Sequence, residues 1–434
     1  MQQTSKVTLT ETQGNSKKYL FPLILVTSLF FFWGFIHNLD PILIPHLKKV
    51  FTLNDLETAF VDFSVFIAYF VMALPAGYFM RKYGYKNGII LGLGLFAAGS
   101  FLFIPAANTQ QYIFFLGALF VIACGLAFLE TAANPYVTVL GAAETATQRL
   151  NFSQSFNGLA AFLAPVIGGK FILSEATYTE AQLAAMPVAE KHALLVQEAS
   201  TVKGPYMVLG ILICIIAILF MATKLPDIKH EETEEQPSTI KKALTHSHLR
   251  WAIVAQFFYV GAQVCVLSFF IRFATMSAGI SESEATWYAG FAGLAFMLGR
   301  FAGTFFMQFV APNRLLMLYG LISMGLSLVA IFGSGMVTVY ALIGIAFFMS
   351  VMFPTIFSLG ISGLGHDTKL GSSLIVMSIV GGAFLPLGLG YISDLTGNIQ
   401  YGYLVPLLCF TVVFIYSWKF WMPNTDKLKP ETKN

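Results

Sequence analysis

The chain has 434 residues, of which 56% are apolar, 15% aromatic and 11% charged, with a formal net charge of +3 and a mean hydropathy of +0.72. A soluble chain carries about 25% charged residues, so this composition excludes a string of soluble domains, and its apolar content excludes disorder. So small a net charge excludes nucleic acid as a partner, and what remains is a polytopic helical membrane protein with the lipid bilayer as its solvent.

Apolar runs of about 20 residues cross a bilayer as helices. Twelve are predicted in chain order, at about 20–45, 57–80, 88–107, 111–140, 150–174, 205–223, 250–274, 285–309, 314–333, 336–362, 371–395 and 401–422. The runs are continuous, which excludes a barrel, whose strands alternate in polarity over about 10 residues. Residues 1–19 form a polar tail with no apolar stretch before a cleavage site, so they read as a retained tail and not a leader. Residues 20–223 form a first six-helix half and 224–249 a linker with the acidic stretch Glu231, Glu232, Glu234 and Glu235. A second half at 250–422 and a tail at 423–434 complete the chain. The four cysteines, Cys124, Cys214, Cys265 and Cys409, fall inside spans and read as packed thiols. With the N-terminus in the cytoplasm, 18 Lys and Arg residues lie on the inner side and 6 on the outer, and this bias predicts that both termini are cytoplasmic.

The halves resemble each other. Pro135-Tyr-Val-Thr-Val-Leu-Gly141 in span four parallels Pro354-Thr-Ile-Phe-Ser-Leu-Gly360 in span ten, at an offset of 219 residues. Six plus six spans with such a repeat are the arrangement of transporters that bind substrate between two halves and rock around it.

A charge at the bilayer centre costs at least about 2.5 kcal/mol on insertion scales and marks a functional position by default. Glu130 lies deep in span four, with Asn134 one turn on and on the same face. Pro135 lacks the N–H that would bond the carbonyl of Thr131. Asp40 lies toward the outer end of span one, followed by Pro41, and Asp62 lies about one turn into span two. Two carboxylates at one level with loosened backbone suit sodium, with Asp40 and Asp62 as its ligands. A single carboxylate removed from water suits a proton. Arg300 lies inside span eight, placed to pair with an acid or to act in gating. Arg272 reads as reaching the outer interface, and Asp394 as interfacial.

Uncharged polar residues recur at helical spacing. Span five carries Asn151, Gln154 and Asn157, and span seven carries Gln256, Tyr259 and Gln263. Amides and hydroxyls beside aromatics match the hydroxyls and C–H faces of a sugar, with Trp33 in span one as an aromatic wall. The competing role for these stripes is hydrogen bonding between helices, worth about 0.6 kcal/mol per contact in membranes.

These residues bring a family into view. LETAANPYVTVLG (129–141), Gln154-Ser-Phe-Asn157, AQFFYVGAQ (255–263) and PTIFSLG with HDTKLGSS (354–373) are similar to the L-fucose:proton symporter family of the major facilitator superfamily. That family also holds glucose, galactose and N-acetylglucosamine transporters. PAGYFMRKYGYKNGI (75–89) resembles the superfamily's loop between spans two and three. The resemblance implies an all-α fold of twelve spans in two pseudo-symmetric halves and no enzymatic activity. It puts Glu130 at the family's span-four acid, tied to sugar binding and coupling. Gln154, Asn157, Gln256, Tyr259 and Gln263 fall on cavity positions. The chain departs from the pattern where Pro41 occupies the usual acid position, Asp62 stands where Gln is common and Arg81 where Asp is usual.

The expectation is a monomeric secondary transporter in a bacterial-type inner membrane, importing a hexose-type sugar by cation symport. The proton is taken first as coupling ion, with sodium at Asp40 and Asp62 as the alternative. No cofactor is expected. A multidrug exporter fits less well, because the polar stripes suit a hydroxylated substrate. A membrane-embedded enzyme lacks a catalytic loop or metal-ligand spacing, and a sensor without transport is the remaining rival.

Overall fold

The computed structural model describes residues 16–39, 43, 46–47, 50–51, 53, 55–140, 142–172, 186–223, 225 and 239–422. Among them there is no β-strand. In lipid each backbone polar group must be satisfied within the segment, and the helix does this with side chains of any apolar kind.

Span one is the helix Ser16–His37. Spans two and three form one helical stretch, Asp55–Thr109, broken at Gly84 (φ 83°, ψ 168°), a backbone conformation that only glycine adopts freely. Its 55 residues would reach about 80 Å unbroken, far beyond a bilayer core of about 30 Å. Span four is Tyr112–Val139, span five Ala146–Ile172 and span six Lys203–Ala222, the last preceded by the short helix Val188–Ser200. Span seven, Ser247–Ser268, bends at Phe269 and continues as Phe270–Ala278. Span eight is Glu282–Phe306, opened by a capping box between Ser281 and Glu284, and span nine is Pro312–Phe332. Span ten is divided into Met336–Met349 and Met352–Ile361. Span eleven joins Thr368–Met377 to Gly381–Thr396 through a tight turn at Ser378–Val380. Span twelve runs from Ile399 to Phe420 with a widened last turn.

Boundaries differ from the sequence reading in three places. The helix of span one ends at His37, and Asn38 and Leu39 turn, where the apolar run alone predicts continuation to 45. Span two starts at Asp55, so Asp62 stands two turns in and not one. Span seven starts at Ser247, three residues before its expected start at 250.

Helices cross where small residues remove bulk. A Cβ on Gly125 would sit 2.6 Å from both the Gly92 carbonyl oxygen and the Phe96 nitrogen, so spans three and four touch backbone to backbone. Phe103 and Tyr206 stack at 3.7 Å between spans three and six. The helix ends rich in Lys and Arg meet at one end of the bundle, here called the basic face. There Lys86 donates to the carbonyls of Met221 (2.9 Å) and Thr223 (2.8 Å), and the Lys369 ammonium lies 5.2 Å from the Tyr85 ring centre.

The two sets of six helices meet along a seam. Span five packs on spans eight and ten, and span eleven on spans two and four. A shift of six spans converts each of these pairs into another: five with eight becomes eleven with two, and five with ten becomes eleven with four. The packing therefore repeats the internal similarity of the sequence.

Candidate functional site

The seam carries the polar residues that a lipid-facing surface excludes. Glu130, on span four, is buried, and its Oε1 accepts from the Tyr69 hydroxyl of span two at 3.2 Å. Its Oε2 is buried without a protein hydrogen-bond partner. One turn on, the Asn134 Oδ1 accepts from the Gln154 Nε2 of span five at 3.0 Å, while the Asn134 Nδ2 has no protein partner. An acid and an amide four residues apart on one helix thus present an acceptor and a donor that are unpaired among the described residues.

Arg300 enters from span eight. It is 3% exposed, and its Nη1 donates to the main-chain carbonyl of Gln154 at 2.6 Å, with the Gln154 Oε1 and Asn157 Oδ1 each at 3.4 Å. Its Nε donates to the Ser350 carbonyl at 2.9 Å, and the guanidinium lies 4.7 Å from the centre of the Phe296 ring. The Ser350 carbonyl is available because Pro354, four residues on, has no N–H to offer it. From sequence, Arg300 is placed to pair with an acid or to act in gating. The structure pairs it with carbonyls and amides, with no direct ion pair to Glu130. This is a correction with a physical cause: the break in span ten and the last turn of polar residues on span five supply enough acceptors to hold a guanidinium without a carboxylate.

On span seven, Gln256 is fully buried and neither its Oε1 nor its Nε2 has a protein partner. Tyr259 is also buried, its ring set edge-on to Phe353 at 6.4 Å and its hydroxyl within electrostatic reach of Arg300. Gln263, a turn beyond, is half-buried. On span one, Trp33 is buried against Phe30 at 4.4 Å, and the adjacent Gly34 lets span five approach so closely that a Cβ there would lie 2.8 Å from the Asn157 side chain.

Toward the basic face the seam is closed by short polar contacts. Asn151 donates to Thr355 Oγ1 at 3.2 Å, the hydroxyls of Thr147 and Ser358 are 2.9 Å apart, and a Cβ on Gly77 would collide with Ser373. Asn151, read from sequence as part of the lining stripe, is thus a seam contact. Arg272 and Asp394 form an exposed ion pair at 3.4 Å, away from this site. Asp40 lies outside the described residues, and of Asp62 the structure describes only its place in the helix.

Tyr69 and the Ser350 carbonyl were not legible as site groups. Tyr69 sits in an unbroken apolar run where a tyrosine reads as interfacial. The Ser350 carbonyl has a signal in Pro354, which stands four residues after it as Pro135 stands after Thr131 in the other half.

An all-helical bundle whose packing repeats after six spans, and which encloses an acid and amides on spans four and seven left unpaired among the described residues, is the architecture of a carrier. The major facilitator superfamily model matches residues 23–369, and the chain belongs to that superfamily. It is 40% identical over 415 residues to the L-fucose-proton symporter of Escherichia coli (strain K12), covering 93% of this chain and 94% of that protein. It is 39% identical over 410 residues to the glucose/galactose transporter of Brucella abortus biovar 1 (strain 9-941), covering 94% and 96%. Among solved structures, the major facilitator transporter FucP in the outward conformation superposes with a TM-score of 0.85 at 40% identity, over 92% of this chain and 99% of that one. The proton:xylose symporter XylE, with a TM-score of 0.73 at 14% identity over 93% and 96%, shares the fold. The chain is a multi-pass membrane transporter of the same family as these sugar carriers, and not an enzyme.

Proposed function

We propose that the protein imports a hexose-type monosaccharide by proton symport across a bacterial-type inner membrane, as a monomer with both termini cytoplasmic. The observation that carries this reading is the group of buried, unpaired donors and acceptors at the seam: Glu130 Oε2, Asn134 Nδ2 and both amide atoms of Gln256. Left unmatched, each such group costs about 1–3 kcal/mol. A ring of hydroxyls, each both donor and acceptor, matches that mixed set better than a greasy cation does. Relatives named for L-fucose with a proton and for glucose and galactose support the substrate class and the proton.

In this reading the halves 20–223 and 250–422 rock about the seam, joined by the linker 224–249. Gln154, Asn157, Gln256, Tyr259, Gln263 and Trp33 line the sugar's path with Glu130 and Asn134. Glu130 takes up a proton on one side and releases it on the other. Sugar and proton each stabilise the state that binds the other by the same free energy. The test is uptake into proteoliposomes across a sugar panel, with proton and sodium gradients imposed separately. Accumulation driven by the proton gradient is expected. Accumulation driven by sodium alone, and lost in Asp62→Asn, would replace the proton by sodium held at Asp40 and Asp62.

A further inference from the structure

On the side of the bundle away from the seam, spans one, five and six enclose a groove of about 540 Å³ that opens outward to the lipid side. Its walls are wholly apolar and include Phe31, Phe35 and Leu39 from the first span, Ile167 from the fifth, and Met207 and Leu212 from the sixth. Ile167, on span five, and Met207 and Leu212, on span six, are each at least 40% exposed, and Ile211, Ile215 and Ile218 further along span six are exposed as well. Along span six the groove runs from Gly204 to Leu212, eight residues or about 12 Å.

Its depth in the bilayer is set by the fold. Gly204 lies in the first turn of span six and Leu39 just past the last turn of span one. The groove therefore starts at the interface opposite the basic face and descends into the hydrocarbon. Lys203, half-buried and with no ion pair or side-chain hydrogen bond among the described residues, precedes the lining residue Gly204 at the start of span six, on the interface where the groove begins. A cation at the interface above a hydrocarbon slot is complementary to one molecule with a negative head and an apolar tail. We propose that this groove is a phospholipid site, with one acyl chain along Phe31, Phe35, Met207 and Leu212 and the phosphate at Lys203.

Gly204 offers the way to test it, since a Cβ added there meets open space. The full-length protein is reconstituted with a phosphatidylglycerol carrying a photoreactive group on one acyl chain, irradiated and mapped by peptide mass spectrometry. Labels are expected to concentrate on the peptides of Phe31–Leu39 and Met207–Leu212. Gly204→Trp, which fills the slot, should reduce that labelling at least fivefold while elution as a single species is kept. Lys203→Gln should reduce it for phosphatidylglycerol in competition with an uncharged lipid carrying the same chain. Labelling spread evenly along span six as far as Ile215 and Ile218, or unchanged in both variants, would overturn the proposal. So would labelling by the uncharged lipid at the same level as by phosphatidylglycerol.

Discussion

Arg300, on span eight, donates to the main-chain carbonyl of Gln154, on span five, at 2.6 Å across the seam between the two sets of helices. Its Nε reaches the Ser350 carbonyl at 2.9 Å in the same plane, so one rigid fork joins three helices. Lysine has a single ammonium and cannot span both carbonyls. A hydrogen bond to a charged group contributes about 1.5–3 kcal/mol, and about 1.4 kcal/mol is a factor of ten in population. Arg300→Lys is therefore expected to open the seam about tenfold more often. Maleimide labelling of a cysteine placed at Ser358 measures this, and labelling at the parent rate would mean that other contacts hold the seam.

Glu130 is the acid with a free oxygen in the site, and the glutamine variant keeps its shape while removing its proton chemistry. Glu130→Gln should abolish accumulation driven by a proton gradient and retain exchange of sugar for sugar in preloaded vesicles. Tyr69→Phe removes one neutral donor to the acid and is expected to change coupled uptake by about threefold to tenfold, in line with 0.5–1.5 kcal/mol for such a bond. Full accumulation by Glu130→Gln would remove Glu130 from the coupling role.

Gln256 gives a prediction with opposite signs for stability and transport. Both of its amide atoms are buried without protein partners. Replacing such a group by an apolar one of similar shape is close to neutral or stabilising. Gln256→Leu should therefore melt at or above the parent temperature in sugar-free detergent solution, while its KM for sugar rises about tenfold or more. A variant that loses stability and keeps its KM would make Gln256 a helix-packing residue.

The fold was legible in the chain because lipid leaves few alternatives: apolar runs of span length read directly as helices, and the Pro135 and Pro354 repeat announced the two halves. That Glu130, Asn134, Gln154 and Gln256 are buried polar side chains was legible for the same reason, since each breaks an apolar surface at a cost that needs an explanation. What the chain did not display was pairing across the seam. Arg300 reads as a partner for an acid until the break between Met349 and Met352 supplies a free carbonyl. Asn151 shares its helical face with Gln154 but meets Thr355, because position along the helix, and not face, decides which residues lie in the closed part of the seam. Periodicity gives the face of a residue; the level at which two halves touch depends on the whole packing.

The seam's closure near the basic face makes a final prediction. Thr147 and Ser358, one from each half, hold their hydroxyls 2.9 Å apart. Sulfur atoms in those positions would be within reach of a disulfide after a small adjustment of rotamers, the bond itself being about 2.05 Å. In a background with Cys124, Cys214, Cys265 and Cys409 replaced by serine or alanine, the pair Thr147→Cys and Ser358→Cys should crosslink under mild oxidation. A carrier that must separate these residues in each cycle would then stop: uptake falls at least tenfold on oxidation and returns with dithiothreitol, while each single cysteine variant is insensitive to both. Efficient crosslinking with undiminished uptake would show that the seam stays closed at this level throughout transport, and alternating access would have to occur elsewhere in the bundle.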